Sequence, residues 1–416
     1  MQMVIAIPRR EELQRFGGAK EALLSNVSGV PLLVRIIATG MRAGVDQVLV
    51  IYRDEISSEI EAAVRKSKFL SKLRTLDFVI APGFEPATPI SWQKISAFVE
   101  DEFLWHPWNW VTNKHGLNDL KLTQGRSPSW NRPVRMTRFA ALSFQQPRQL
   151  PNVVAEGCAI RSPKSVGAAE RWLVAHSGKP LDGIYSKFNR WLCRPLVRAL
   201  THTPVSPNMV TFAGLLVAIV AAYFFAQGMY LTSLAGALLF FLSGLLDEVD
   251  GMLARVRFSD SAFGTWFEGS VDNLTYLLLF VGITIGLYRQ RGAQEVLLGE
   301  LTMVGAILSI AVIAWQRKRL THAKRPNEYC AKMYRLLEED RGNRLSQMGR
   351  QLEFLIKKGV FIHYVVLFTA LGLLPVLLRL ASFASNVTWI LALYFSYRFF
   401  RRRKPGARVV ELSKAA

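Results

Sequence analysis

Apolar positions along this chain change their period near residue 180. Before that point, Val4 to Ile7, Gln47 to Tyr52 and Leu76 to Ala81 are short dense runs rich in β-branched residues, and they read as strands. Between them, Pro31 to Ala43 and Ile56 to Lys66 carry apolar residues at helical spacing, with Gly44 as a stop after the first. Strand and helix in alternation predict parallel βαβ units, so residues 1–175 read as a cytoplasmic α/β domain. Over Asp182 to Leu200 the spacing becomes purely helical. Ile184, Phe188, Leu192 and Leu196 make one face, and Lys187, Arg190, Arg194 and Arg198 another. That is the pattern of an amphipathic helix in a membrane interface, over 180–202. From 206 to 404 long apolar runs dominate, giving about six spans near 208–227, 230–254, 264–288, 295–315, 359–379 and 384–400. Each is close to the ~20 residues that cross a bilayer as a helix. This part reads as an all-α polytopic membrane domain.

Acids interrupt the second and third of these runs. Asp247 and Asp250 lie three apart at the end of one predicted helix, and Gly264, Glu268 and Asp272 recur every four residues on the next. A short turn near Ser259-Asp260-Ser261 can bring the four carboxylates together. One acid at the centre of a membrane helix costs roughly 2.5–3.5 kcal/mol, and four also repel one another. A hard divalent cation relieves both costs, and all-oxygen ligation suits Mg²⁺ or Mn²⁺. Asp247, Asp250, Glu268 and Asp272 are therefore candidate metal ligands. Arg255 adds a fixed cation suited to phosphate, while Gly251, Ala254 and Gly264 leave space for a ligand. A structural polar patch closing the helix pair is the plainer alternative.

The spacing D-x2-D-G-x2-A-R-x8-G-x3-(D/E)-x3-D resembles the signature of the CDP-alcohol phosphatidyltransferases, over roughly residues 180 to 400. Glu268 stands where that family has its third Asp. The resemblance implies metal-dependent transfer of a phosphatidyl or phospho-polyol group from a CDP-alcohol donor to an alcohol or polyol-phosphate acceptor, with release of CMP. It implies Asp272 as general base for the acceptor hydroxyl, Gly251, Ala254 and Gly264 near the nucleotide, and Arg255 on the phosphates. The family also has a Pro-Asn-x-x-Thr near the nucleotide, which makes Asn208 and Thr211 secondary candidates. Ser206 and Pro207 already suit a helix start without it. Arg190, Arg194 and Arg198 are candidates for an acceptor phosphate.

Composition narrows the partners. Of 416 residues 50% are hydrophobic, and the net charge is +21. The basic residues gather beside apolar spans, so anionic lipid fits better than nucleic acid, and a homodimer is allowed. Gln316 to Lys358 and Arg398 to Lys404 are rich in Lys and Arg, which places both on the cytoplasmic side, together with the N-terminal domain and the acidic turn. In a bacterium that is the inner or plasma membrane. Tyr329–Leu337 and Met348–Ile356 read as amphipathic helices inside the basic loop. Cys158, Cys193 and Cys330 show no metal spacing and are expected as free thiols. The first residues predict no signal peptide.

In the first half, Gly29-Val-Pro-Leu-Leu-Val-Arg-Ile-Ile followed by Ala43-Gly-Val-Asp-Gln-Val-Leu-Val-Ile resembles the Rossmann-like sugar-phosphate nucleotidyltransferases. Where that family has a Gly-rich phosphate loop, this chain has Pro8-Arg-Arg-Glu-Glu12, and Gly17-Gly-Ala-Lys20 comes late. A degenerate domain kept for docking or stability is the expectation. The cluster Trp105-His-Pro-Trp-Asn-Trp110 reads as core or domain contact, and His106 and His115 as structural. Fused to the Asp182-Gly-Ile-Tyr-Ser-Lys-Phe-Asn-Arg tract, this front half resembles the inositol-phosphate cytidylyltransferase/di-myo-inositol-phosphate-phosphate synthases. The alternative function is a non-catalytic relative that binds CDP-linked lipid or nucleotide without turnover.

Overall fold

A computed structural model describes residues 1–54, 58–122, 130, 132–143, 156–178, 183–320, 328–340 and 358–401. Its first part is built on five strands: β1 (Gln2–Ile7), β2 (Gln47–Tyr52), β3 (Thr75–Ile80), β4 (Glu102–Trp105) and β5 (Val134–Thr137). Their order is β3-β2-β1-β4-β5. β1 pairs in parallel with β2 and β4, β2 pairs in parallel with β3, and β5 closes one edge antiparallel to β4. Every residue of β1 is buried, as a central strand covered on both faces must be. One face carries Met3, Ile5, Val48 and Val50 against helix α1 (Leu32–Arg42). The other carries Val4, Leu49, Phe103 and Trp105 against Trp92.

The three expected strands and the first helix appear within two residues of their expected limits. The tryptophan cluster divides between core and a half-buried contact. Trp105 sits beside Trp92 and Trp130, whereas Trp108 packs edge-on against Phe16. His106 is fully buried, with Nδ1 at 2.9 Å from the Pro107 carbonyl. Burial pushes this imidazole down to about 4. After β1 the chain turns into a short helix, Arg10–Leu13, and not into a nest of backbone N–H groups. Gly17 and Gly18 take φ of 93° and 134°, and Lys20 is ion-paired to Glu59 at 2.5 Å. Cys158 and Cys193 are free thiols.

The second part is helical: α2 (Val166–Ala175), α3 (Ile184–Leu200), α4 (Pro207–Ala226), α5 (Tyr230–Arg257), α6 (Ala262–Arg291), α7 (Gln294–Leu320), α8 (Glu328–Glu339), α9 (Lys358–Ala370) and α10 (Leu374–Arg401). Five of these, α4 to α7 and α10, are long and apolar enough to cross a membrane. The expected span at 359–379 is instead the shorter α9, which ends in a turn at Leu371–Leu373. Gly372, at φ 69°, supplies the left-handed residue that stops α9, and Pro375 lies in the first turn of α10. α8 covers the expected amphipathic segment at 329–337, while Met348–Ile356, Asp182 and Arg402–Lys404 lie outside the described residues.

In α3 the burial runs against its apolar pattern. Asn189, Arg190, Cys193 and Val197 are buried, whereas Ile184, Phe188, Trp191, Leu192 and Leu196 stay exposed. The buried side packs on α5 and α9, and the exposed apolar stripe faces outward.

Candidate active site

The acids sit where α5 and α6 meet the turn that joins them. α5 ends at Arg257 and α6 begins at Ala262, so the turn falls where the sequence predicted it. Ser261 caps α6 by accepting from the Gly264 N–H at 2.9 Å. α5 and α6 hardly touch each other. Each packs along α4, which lies between them and floors a groove. Small residues make this close packing feasible. A side-chain carbon on Gly282 would stand 2.5 Å from the Ala222 carbonyl oxygen, and one on Gly286 would stand 2.2 Å from that of Phe225.

Asp247, Asp250 and Glu268 each offer an oxygen, and these atoms lie within 4.8 Å of one another. Asp250 is 2% exposed. Its Oδ2 accepts from the Thr211 hydroxyl at the start of α4, while Oδ1 is buried with no hydrogen-bond partner. An orphaned carboxylate oxygen beside two further carboxylates is the donor set that a hard divalent cation satisfies. The residues therefore fit Mg²⁺ or Mn²⁺. Asp272, one turn further along α6, lies outside that triplet but within electrostatic range of Asp250. Thr211, Gly214, Ser243, Val271 and Thr275 line the cleft with Asp247 and Asp250. Ser243 and Thr275 were not among the sequence candidates. Both lie about one helical turn from a candidate acid, which is the only signal that could have found them.

The remaining candidates divide into two groups. Asn208 comes close to Gly264: a side-chain carbon there would be 3.1 Å from Asn208 Oδ1. Arg255 donates from Nε to the Ser177 carbonyl at 2.6 Å, and its guanidinium lies over Gly251. A side-chain carbon at Gly251 would stand 3.1 Å from Arg255 Nη1, so the glycine gives this arginine its seat. Ala254 lies on the same helix, half-buried. Of the three α3 arginines, Arg190 lies within electrostatic range of Arg255, and the other two are held elsewhere. Arg190 forms a buried ion pair with Glu248 at 2.8 Å, Arg194 reaches the Ala175 carbonyl at 3.4 Å, and Arg198 is exposed beside Gly167.

Comparison with known proteins decides what kind of domain this is. The family model described as CDP-alcohol phosphatidyltransferase matches residues 204–394. Residues 204–394 belong to the CDP-alcohol phosphatidyltransferase family. Among curated relatives of this chain, the archaetidylinositol phosphate synthase of Methanothermobacter thermautotrophicus is 39% identical over 99 residues, 22% of this chain and 49% of the relative. The bifunctional IPC transferase and DIPP synthase of Rubrobacter xylanophilus is 29% identical over 150 residues, 36% of this chain and 33% of the relative. A protein of that same description from Aquifex aeolicus is 22% identical over 245 residues, 58% of this chain and 50% of the relative. The chain spans about half the length of the first of these. The CDP-alcohol phosphatidyltransferase domain covers α4 to α9 and most of α10, and so contains every acid of the site.

Proposed function

We propose that this protein transfers a phosphatidyl or phospho-polyol group from a CDP-alcohol to the hydroxyl of an acceptor alcohol or polyol phosphate, releasing CMP. The observation that carries the reading is the Asp247–Asp250–Glu268 triplet, with Asp250 buried and one of its oxygens orphaned, inside a domain of this family.

Asp247, Asp250 and Glu268 hold a Mg²⁺ or Mn²⁺ ion, with Asp272 adjoining. When bound, that cation neutralises the pyrophosphate and the departing CMP oxygen. Thr211 orients Asp250 through its hydroxyl. Asp272 accepts the proton of the acceptor hydroxyl, whose oxygen then bonds to the phosphorus of the transferred group as the bond to the CMP oxygen breaks. Arg255 offers a cation to the phosphates, and Gly251, Ala254, Gly264 and Asn208 border the space for the cytidine. The N-terminal domain is a degenerate relative of Rossmann-like nucleotidyltransferases, supported by the helix after β1 and the Lys20–Glu59 pair. α3 lies in the membrane interface with its exposed apolar stripe in anionic lipid, and the basic segments face the cytoplasm.

The test is CMP release by the purified chain in nanodiscs. CDP-diacylglycerol, CDP-inositol and CDP-glycerol are offered with Mg²⁺ or Mn²⁺ and a panel of polyols and polyol phosphates. CMP that requires both metal and acceptor and vanishes in Asp272→Asn supports the proposal and names the substrates. Tight cytidine-nucleotide binding with no CMP from any pair favours the non-catalytic relative.

A further inference from the structure

The turn between the two acidic helices is held from outside the transferase domain. Phe258 caps α5 in the left-handed conformation, at φ 55° and ψ 30°. Its ring lies 4.9 Å from the Arg35 guanidinium and 4.4 Å from that of Arg42, both on α1 of the N-terminal domain. Phe69 packs edge-on against the same ring at 6.3 Å. Arg35 is 1% exposed, and its Nε and Nη2 both find carbonyl acceptors. It donates to the Val27 carbonyl at 2.7 and 3.0 Å and to the Val256 carbonyl, in the last turn of α5, at 2.9 Å. Arg42 pairs with Asp260, the next acidic residue of the turn, at 2.5 Å. Three successive parts of one short connection, the end of α5, its cap and the turn, are thus each gripped by a cation of α1.

The connection matters because α5 and α6 hardly touch along their lengths. Their relative placement is set by their shared packing on α4 and by this turn. Asp247 and Asp250 come from one helix and Glu268 and Asp272 from the other, so the gap between the two acid pairs depends on how the turn is held. A non-glycine residue in the left-handed region keeps that conformation only when its surroundings impose it. Here the surroundings are Arg35, Arg42 and Phe69.

We propose that the N-terminal α/β domain is a working part of the transferase: Arg35, Arg42 and Phe258 are positioning residues that hold the α5–α6 turn, and so hold the two acid pairs at metal-binding distance. The proposal rests on the metal reading given above, and its test separates the two. The full chain in nanodiscs is followed by hydrogen exchange of peptides covering 256–264, and by Mn²⁺ affinity from the spin-resonance signal of the free ion. Arg35→Met is expected to speed exchange at the turn by about tenfold or more and to weaken Mn²⁺ by a similar factor. Arg35→Lys keeps a cation over the ring but lacks the fork, so it recovers part of both. Arg42→Gln, at a half-exposed position, gives a milder loss in a chain that folds, and Phe258→Gly frees the backbone while removing the ring. Trp92→Phe, in the opposite core of the same domain, is the control for general destabilisation.

Wild-type exchange in both Arg35→Met and Phe258→Gly overturns the clamp. Faster exchange with unchanged Mn²⁺ affinity overturns the positioning role. Equal weakening by Trp92→Phe also overturns it, since stability alone would then explain the effect. If Asp250→Asn binds Mn²⁺ like the wild type, the metal reading of the acids falls, and turn exchange alone decides whether the clamp stands.

Discussion

Replacing Gly286 by alanine should separate α4 from α6. A side-chain carbon there would stand 2.2 Å from the Phe225 carbonyl oxygen and 3.2 Å from its carbon. At Gly282, one turn earlier, it would stand 2.5 Å from the Ala222 oxygen and 2.9 Å from the Ala222 Cα. All of these neighbours are backbone, so no rotamer change relieves the clash, and the helices must move apart by most of an ångström at Gly286. Overpacking of this kind costs about 1–3 kcal/mol. At about 2–4 °C per kcal/mol for a domain of this size, Gly286→Ala should lower the midpoint of thermal unfolding in detergent by roughly 5 °C. Gly269 is the internal control. It lies in the same helix with nothing within 4 Å of an added carbon. There alanine only improves helix propensity, by about 0.5–1 kcal/mol, and should raise the midpoint slightly. The two substitutions are chemically identical and should act with opposite sign. A midpoint for Gly286→Ala within 1 °C of wild type, or a fall for Gly269→Ala as large as for Gly286→Ala (about 5 °C by the same scale), would refute the backbone-contact account of this helix pair.

Three further outcomes follow from the same structure. Asp272→Asn should lower CMP release by about 10²–10⁴-fold, as loss of a general base does, while leaving Mn²⁺ affinity less affected than Asp250→Asn; equal effects of the two on affinity would count against a division of roles. Glu248→Gln removes the charge partner of buried Arg190 and should destabilise the fold by about 3–5 kcal/mol, measured by chemical unfolding, whereas replacing both with leucine should recover most of that loss. His106 is neutral when folded, with its imidazole held down to about 4 against 6.5 ordinarily. The unfolded chain therefore binds the extra proton as pH falls through 6.5, and stability should drop between pH 6.5 and 4 by up to about 3 kcal/mol. His106→Asn should flatten that slope in a pH series of unfolding midpoints.

The sequence was legible where the deciding interactions are local. β1 to β3 and α1 declared themselves through dense apolar runs and a glycine stop, and the acidic connection through residues three and four apart. β4 and β5 were missed because they are short and pair across about 30 residues, so no local period marks them. The division between α9 and α10 was hidden by hydropathy. Gly372 and Pro375 are turn signals, but they lie inside one apolar run, and the expected boundary at 380–383 falls within α10. Ser385 and Asn386 face Gly305 of α7, and Asn386 donates to the Leu301 carbonyl at 3.0 Å. Polar side chains satisfied by a neighbouring helix do not end a span. Asp247, Asp250 and Glu268 come together as their spacing suggests, but the groove was not legible, because it exists only through α4. Gly282 and Gly286 form a G-x-x-x-G pair that would have pointed to that packing. The burial of Arg190 and the outward turn of Ile184 and Phe188 depend on α5 and α9, which no pattern within α3 reveals.

The bond from Arg35 to Val256 joins residues 221 apart in the chain. Synthesis adds about 5–20 residues per second, so some 10–40 s separate the two on the ribosome. Mixed α/β domains of this kind fold within about a second. The surface that receives the turn is therefore finished before α5 and α6 enter the bilayer as a hairpin, and assembly proceeds onto a preformed template. Order of synthesis, as much as final geometry, then favours the N-terminal position of the α/β domain: placed after the membrane helices, the same surface would arrive only when α5 and α6 had already packed on α4 with the turn unheld.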